Sequence, residues 1–348
     1  MQLSCGRSTL TVHERYVLSS KKPADYVLAS FEDFSAEIFT QNLEFFVIIH
    51  SGAAFTKVSQ ECLIGPGNEI NIGDLVFEVC RFNWGVWSSI GMRAIMEDSE
   101  VVIQDLRILP DAVSYYAVFD GHGGKECSIY LKMNLHKYLA KHLKDSFDIS
   151  SWPSQIASAF AECDLSFSLI HPELSKLIGS TALVCLIYKS DLITANCGDC
   201  RAILSRKGQA IQLTVDHRPD NQNERMRIEK SGGFIASNRV QGKLGVTRSF
   251  GDFEFKSSKK IVLSEPEIQV CSIDFKSDEF VLIGCDGLFE AFSNQDAVKS
   301  VRNRLKRMKA TEQDPARVVK DLVTEAVHMR RTLDNVSAIL VTLSAGVV

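Results

Sequence analysis

The run Tyr115-Tyr116-Ala117-Val118-Phe119 ends in Asp120-Gly121-His122-Gly123-Gly124, so an apolar strand delivers a carboxylate, a glycine carbonyl and an imidazole to one point. Such groups suit a hard divalent cation, Mg²⁺ or Mn²⁺, which takes oxygen ligands and keeps several waters. Glycine lets its carbonyl approach with no Cβ in the way. His122 then stands beside the metal as an acid or a base. The plain alternative is a strand followed by a tight Asp-Gly turn.

Repetition favours the metal site. The apolar run Phe280-Val281-Leu282-Ile283-Gly284-Cys285 also ends in Asp-Gly, at Asp286-Gly287, and Asp334-Asn335 immediately precedes the strand-like run Val336 to Val341. Three acids at the ends of three hydrophobic strands repel one another unless a cation sits among them. A fourth element, Arg93-Ala94-Ile95-Met96-Glu97-Asp98, places a cation and two adjacent carboxylates just before the alternating run Ser99 to Ile103.

The ordered set of motifs resembles the metal-dependent Ser/Thr protein phosphatases of type 2C, the PPM family. The resemblance rests on Arg93 to Asp98, Asp120 to Gly124, Gly179-Ser180-Thr181-Ala182 and Ala195 to Asp199. It continues through Asp216-His217-Arg218-Pro219, Gly242 to Asp252, Cys285 to Glu290 and Asp334 to Ser337, and it spans about Trp84 to Leu343. Eight motifs in order are far more specific than any one of them.

What the resemblance implies is a two-metal hydrolysis of phosphoserine and phosphothreonine. Asp120 bridges two Mg²⁺ or Mn²⁺ ions, the Gly121 carbonyl binds one, and Asp286 and Asp334 complete the other. A water shared by the ions becomes hydroxide and attacks phosphorus in line. Glu97 and Asp98 serve as ligands or hold metal-bound waters, and Asp199 with Asp286 resembles the pair that holds a weaker third ion. Arg93 clamps the phosphate, since a planar guanidinium matches two phosphate oxygens at once. His122 protonates the departing Ser or Thr oxygen.

Each role has a plainer rival. Arg93 can pair with Glu97, four residues on; Asp199 can be a turn aspartate between two strands; His122 can simply steer a water. Arg248 reads as an anchor of its own loop. Departures from the family pattern are Cys200 for Ser, Arg218 for a frequent Lys, and Gly245 for a common Ala. None removes a charged ligand, which argues against an inactive relative.

Ten cysteines raise the question of thiol chemistry. Cys200 and Arg206 have the Cys-x5-Arg spacing of thiol phosphatases, but Arg201 to Ser205 reads as a strand with no glycine to cradle a phosphate. Cys197-x-x-Cys200 lacks a second pair for zinc. Most other cysteines, such as Cys185, sit in apolar runs and read as buried reduced thiols. With no signal-like N-terminus and no apolar stretch of membrane-spanning length, the expected location is cytoplasmic or nuclear, with no membrane partner. A net charge of -4 over 348 residues gives no reason to expect nucleic acid. The basic run Arg302, Arg304, Lys306, Arg307 and Lys309 reads as a solvated helix face, or else as a docking point for an acidic substrate or an import signal.

Around the motifs, short strand-like runs alternate with amphipathic helices. Lys125 to Lys144 carries Ile129, Met133, Leu135, Leu139 and Leu143, and Trp152 to Ile170 carries Ile156, Phe160, Cys163, Phe167 and Ile170. A late helix opens on Asp314-Pro315, a cap followed by proline at the first helical position. The expected fold is α+β: a four-layer α/β-sandwich over residues 83–345, with a central β-sandwich flanked by antiparallel helix pairs, metals at one end and a flap at about 218–260.

Residues 1–82 read as a small all-β module of short strands broken by Gly, Pro, Asn and Asp. This segment resembles a degenerate forkhead-associated (FHA) domain. Arg7 keeps the phosphate-gripping position, whereas Ser35 and Ser51 replace the family's His and Asn. A partner-binding role for the module and a plain packing role both stand. For the whole chain the expectation is a phosphatase acting on phosphoproteins. The alternatives are a non-catalytic phosphoprotein-binding scaffold and a hydrolase of small phosphoesters.

Overall fold

The computed structural model describes residues 82–343, except 110–112, 145, 147, 257–259 and 309–313; of residues 1–81 it describes only the backbone of strands. Seven α-helices occur among the described residues. They are α1 (Glu126–Leu143), α2 (Trp152–Ile170), α3 (Leu174–Leu177), α4 (Gln222–Lys230), α5 (Asp286–Ala291), α6 (Asn294–Arg307) and α7 (Pro315–His328).

Two five-stranded antiparallel sheets carry the site. The first runs, in spatial order, Ser99–Ile103, Val113–Phe119, Ala182–Tyr188, Asp191–Cys197 and Glu267–Ser272. The second runs Gln209–Gln212, Arg201–Arg206, Asp278–Gly284, Val336–Thr342 and Asn83–Ser89. Several strands are apolar on both faces, and the side-chain alternation of a strand explains why. Tyr115, Ala117, Phe119, Val184 and Leu186 pack with Leu131, Leu135, Phe160 and Phe167 of α1 and α2. Their neighbours in sequence, Tyr116, Val118, Leu183 and Cys185, share a second core with Ala202, Leu204, Val281, Ile283, Ile339 and Val341 of the other sheet. That sheet's remaining face, with Phe280, Leu282 and Leu340, packs on Val298, Val301, Val318 and Leu322 of α6 and α7.

The late helix forms as its sequence predicts, with the Asp314 carboxylate accepting from the Ala316 N–H at 2.9 Å and Val318, Val319, Leu322, Val323 and Ala326 buried. In α1 the expected stripe needs correction. Cys127, Leu131, Leu135, Leu139 and Leu143 are buried, while Ile129 and Met133 are exposed. A four-residue step back from Leu135 reaches Leu131 and Cys127, so Ile129 and Met133 fall on the far side of the helix. Ile170, at the end of α2, is exposed as well. The basic run near the end of α6 is also partly spoken for, since Arg302 pairs with Glu279 and Arg304 with Glu325; Lys309 lies outside the described residues.

Between Gln2 and Cys80 the backbone forms eight strands in two four-stranded antiparallel sheets. Arg7 lies outside the described residues, as do the side chains of Ser35 and Ser51. No helix among the described residues is long and apolar enough to cross a membrane.

Candidate metal and phosphate site

Asp120 leaves the strand Val113–Phe119 and is locked by its backbone to Thr181. The Asp120 N–H donates to Thr181 Oγ1 at 3.0 Å, and the Thr181 N–H donates to the Asp120 carbonyl at 2.8 Å. One face of the Gly121 backbone meets Glu97, and a Cβ at this position would stand 2.5 Å from the Glu97 carbonyl oxygen. Only glycine allows the two segments so close. Ser128 Oγ donates to that same carbonyl.

Two groups of possible ligand atoms share Asp120. One atom each from Asp120, Asp199 and Asp286 lie within 4.8 Å of one another, and so do one each from Asp98, Asp120 and Cys285. Asp98 is 7% exposed, yet its Oδ2 has no hydrogen-bond partner. Burying a carboxylate oxygen without a partner is costly, and although Ser337 and Cys285 favour the charged form, the group shifts toward its neutral form. Burial, with help from the charges of Asp286 and Asp334, pushes Asp98 up to about 7. Burial and the Asp286 charge do the same to Asp199, also to about 7. Asp120 is driven well above the carboxylate range by burial and then by Asp98 and Asp286, and Asp286 is raised by burial and Asp334. A divalent cation removes all of these penalties at once.

Arg218 partly offsets the crowding, with Nε 3.4 Å from Asp199 Oδ2 and Nη2 3.8 Å from Asp286 Oδ2. Arg93 pairs with Asp334 at 2.7 Å rather than with Glu97, four residues on, and its side chain remains 56% exposed. Asp334 and Glu97 lie outside both ligand groups, although the charge of Asp334 is felt at Asp98, Asp120 and Asp286. Cys200 is fully buried and meets Thr181 Oγ1 at 3.1 Å, beneath Asp120. Burial pushes its thiol far up, so it does not act as a thiolate nucleophile.

His122 is held by a residue the motif reading left without a role. Its Nε2 lies 2.7 Å from Asp252 Oδ2, and Ser249 Oγ donates to the same oxygen at 2.5 Å. Burial works against a charged imidazole, but the Asp252 carboxylate outweighs it and His122 is raised overall. Gly179 is the floor of this pair: a Cβ there would lie 2.2 Å from Asp252 Oδ2 and 2.5 Å from His122 Nε2. The only signal in the sequence was the position of Asp252 at the end of the Thr247 to Asp252 motif.

Asn335 is the second unassigned residue. Its Nδ2 donates to the carbonyls of Ile90 at 2.8 Å and Ile95 at 3.1 Å, and its Oδ1 accepts from the Glu97 N–H at 2.9 Å. One side chain thereby fixes the loop that bears Arg93, Glu97 and Asp98. In the 218–260 segment, Arg248 is an anchor as its sequence suggests, because buried Glu224 accepts from Arg227, Arg248 and Thr247 together.

Residues 84–336 match the family model described as protein phosphatase 2C. Over 314 residues the chain is 35% identical to Probable protein phosphatase 2C 22 of Arabidopsis thaliana, covering 85% of this chain and 77% of that one. It is 36% identical over 270 residues to Probable protein phosphatase 2C 54 of Oryza sativa subsp. japonica, covering 74% and 71%. Among solved structures, a C. elegans sex determining protein superposes with a TM-score of 0.68 at 27% identity, over 78% of this chain and 67% of that one. The fold is also that of serine-threonine phosphatase 2C from Toxoplasma gondii, with a TM-score of 0.63 at 20% identity over 75% and 94% of the two chains.

Proposed function

The chain belongs to the protein phosphatase 2C family and is a Ser/Thr phosphatase, and from that premise we propose that it hydrolyses phosphoserine and phosphothreonine in proteins at a binuclear Mg²⁺ or Mn²⁺ centre. The observation that carries the metal reading is the approach of carboxylate oxygens of Asp120, Asp199 and Asp286 to within 4.8 Å of one another, beside a buried Asp98 oxygen with no partner. Asp120, the Gly121 carbonyl, Asp286 and Asp334 would hold the pair of ions. Glu97 and Asp98 would ligate or orient their waters, and Asp199 with Asp286 would take a weaker third. When bound, the cations supply charge neutralisation at the phosphate and an acidified water as nucleophile.

The remaining work falls to the protein. Arg93, exposed at the rim, exchanges its Asp334 partner for two phosphate oxygens. His122, whose Nε2 Asp252 occupies, delivers a proton from Nδ1 to the departing Ser or Thr oxygen. Asp252 keeps the ring in one tautomer and favours its charged form.

The three cores support a four-layer arrangement of helices, two sheets and helices over residues 83–345, with 218–260 as flap. Residues 1–82 are read as an FHA-like β-module that positions the enzyme on a protein partner in the cytoplasm or nucleus. The decisive assay is phosphate release from a phosphothreonine peptide with Mn²⁺, with EDTA, and with Asp286→Ala. Release that requires both metal and Asp286 supports the proposal. No release from folded, metal-loaded protein would favour a phosphoprotein-binding scaffold.

A further inference from the structure

Beside Arg93 the protein exposes apolar side chains that its core does not use. Ile90, Met92 and Ile95 surround Arg93 in sequence, and Leu333 directly precedes its partner Asp334; Met92 is 73% and Leu333 70% exposed. Scattered apolar residues on a surface need no explanation. The two segments that bear these four are tied together through their backbones. Asn335 grips the Ile90 and Ile95 carbonyls. Gly91, at φ +61°, lies so close to the bend at Asp334 that a Cβ would stand 2.0 Å from the Asp334 carbonyl oxygen. The lip is therefore carried on held backbone on either side of the Arg93–Asp334 pair, and a floppy loop does not explain its exposure.

We infer that this lip is a substrate subsite, and that the preferred phosphoprotein substrates carry a bulky apolar side chain next to the phosphorylated Ser or Thr. The inference rests on Arg93 as the phosphate clamp. A phosphate gripped there brings the neighbouring residues of its chain over Met92, Ile95 and Leu333. An apolar side chain in that place loses its water against them, whereas a charged or small one gains nothing. One apolar side chain seated in this way is worth roughly ten-fold in kcat/KM.

The test compares two phosphothreonine peptides that differ only in Leu or Ser at the flanking positions, with an aryl phosphate as a third substrate. The expected result is about a ten-fold preference for the Leu peptide, falling to near unity in the Met92→Gln/Leu333→Gln double variant and persisting in Leu169→Gln, a control on the exposed face of α2. Equal rates on the two peptides in the wild type, or a preference that survives the double variant, would overturn the inference. Failure of the underlying phosphatase reading looks different: no metal-dependent release from any of the three substrates.

Discussion

His122 Nε2 and Asp252 Oδ2 are 2.7 Å apart across 130 residues of sequence, and Asp252 reaches that position from a left-handed backbone at φ 51°. The aspartate is held from behind. The Gly251 N–H donates to Asp164 Oδ1 at 2.8 Å, and Lys256 bonds the other oxygen of Asp164 at 2.6 Å. A non-glycine residue in this backbone region carries a conformational cost that the surroundings must hold in place. What the arrangement secures is an imidazole of fixed orientation beside the acidic cluster.

Asp252→Asn is expected to lower kcat by about 100-fold and to change its pH dependence. Asp252 raises His122, so the Asn variant loses the protonated imidazole at lower pH, and the alkaline limb of the kcat profile moves down. Adding Asp252→Asn to His122→Ala should cost little more, because the two act as a unit. A kcat loss with an unmoved limb would assign Asp252 a purely structural part.

Metal should stabilise the protein more at neutral than at acid pH. Asp98 and Asp199 are raised to about 7 without metal. Between their unfolded value near 4 and about 7, the native state then binds more protons than the unfolded chain. The sign follows: metal-free stability falls as pH rises through that window, and a bound cation cancels the fall. The rise in Tm on adding Mg²⁺ should be several degrees larger at about pH 7.5 than at about pH 5.5, measured calorimetrically on the protein alone.

Asn335→Asp retains the acceptor for the Glu97 N–H and removes both donors to Ile90 and Ile95. The two carbonyls lose their partner and a charge is buried, at a cost of about 2 kcal/mol or more. A lowered Tm and a raised KM for phosphopeptide are expected, since Arg93 rides on the released loop. An unchanged KM would separate the loop from phosphate binding.

Glu224→Gln should loosen the 218–260 segment. Burial opposes the charge on Glu224, but its bonds to Arg248 and Arg227 hold the carboxyl down to about 2. Breaking a buried pair costs about 3 kcal/mol or more. Limited proteolysis should then cut this segment first in the variant, with the sheets intact.

Much of the site could be read from the chain because each acid ends or begins an apolar strand. Asp120 follows Phe119, Asp286 follows the strand Asp278–Gly284 and its next residue, and Asp334 precedes Val336–Thr342. Strand periodicity and Asp-Gly punctuation are local signals. The Arg93 to Asp334 pair, the His122 to Asp252 pair and the three bonds of Asn335 join residues 130 to 245 positions apart, and no local pattern encodes them. The α1 stripe is obscured in the sequence for another reason: Cys127 and Ser128 line its buried side, and small or polar residues there are poor markers of a core face.

In the proposed centre Asp120 joins two metal positions. A Mn²⁺ titration by calorimetry, with free ion counted by electron paramagnetic resonance, tests it most directly on the wild type and Asp120→Asn. The prediction is at least two ions per wild-type chain and loss of tight binding at both positions in the variant. A single ion in the wild type, or two still bound tightly without the Asp120 carboxylate, would contradict it.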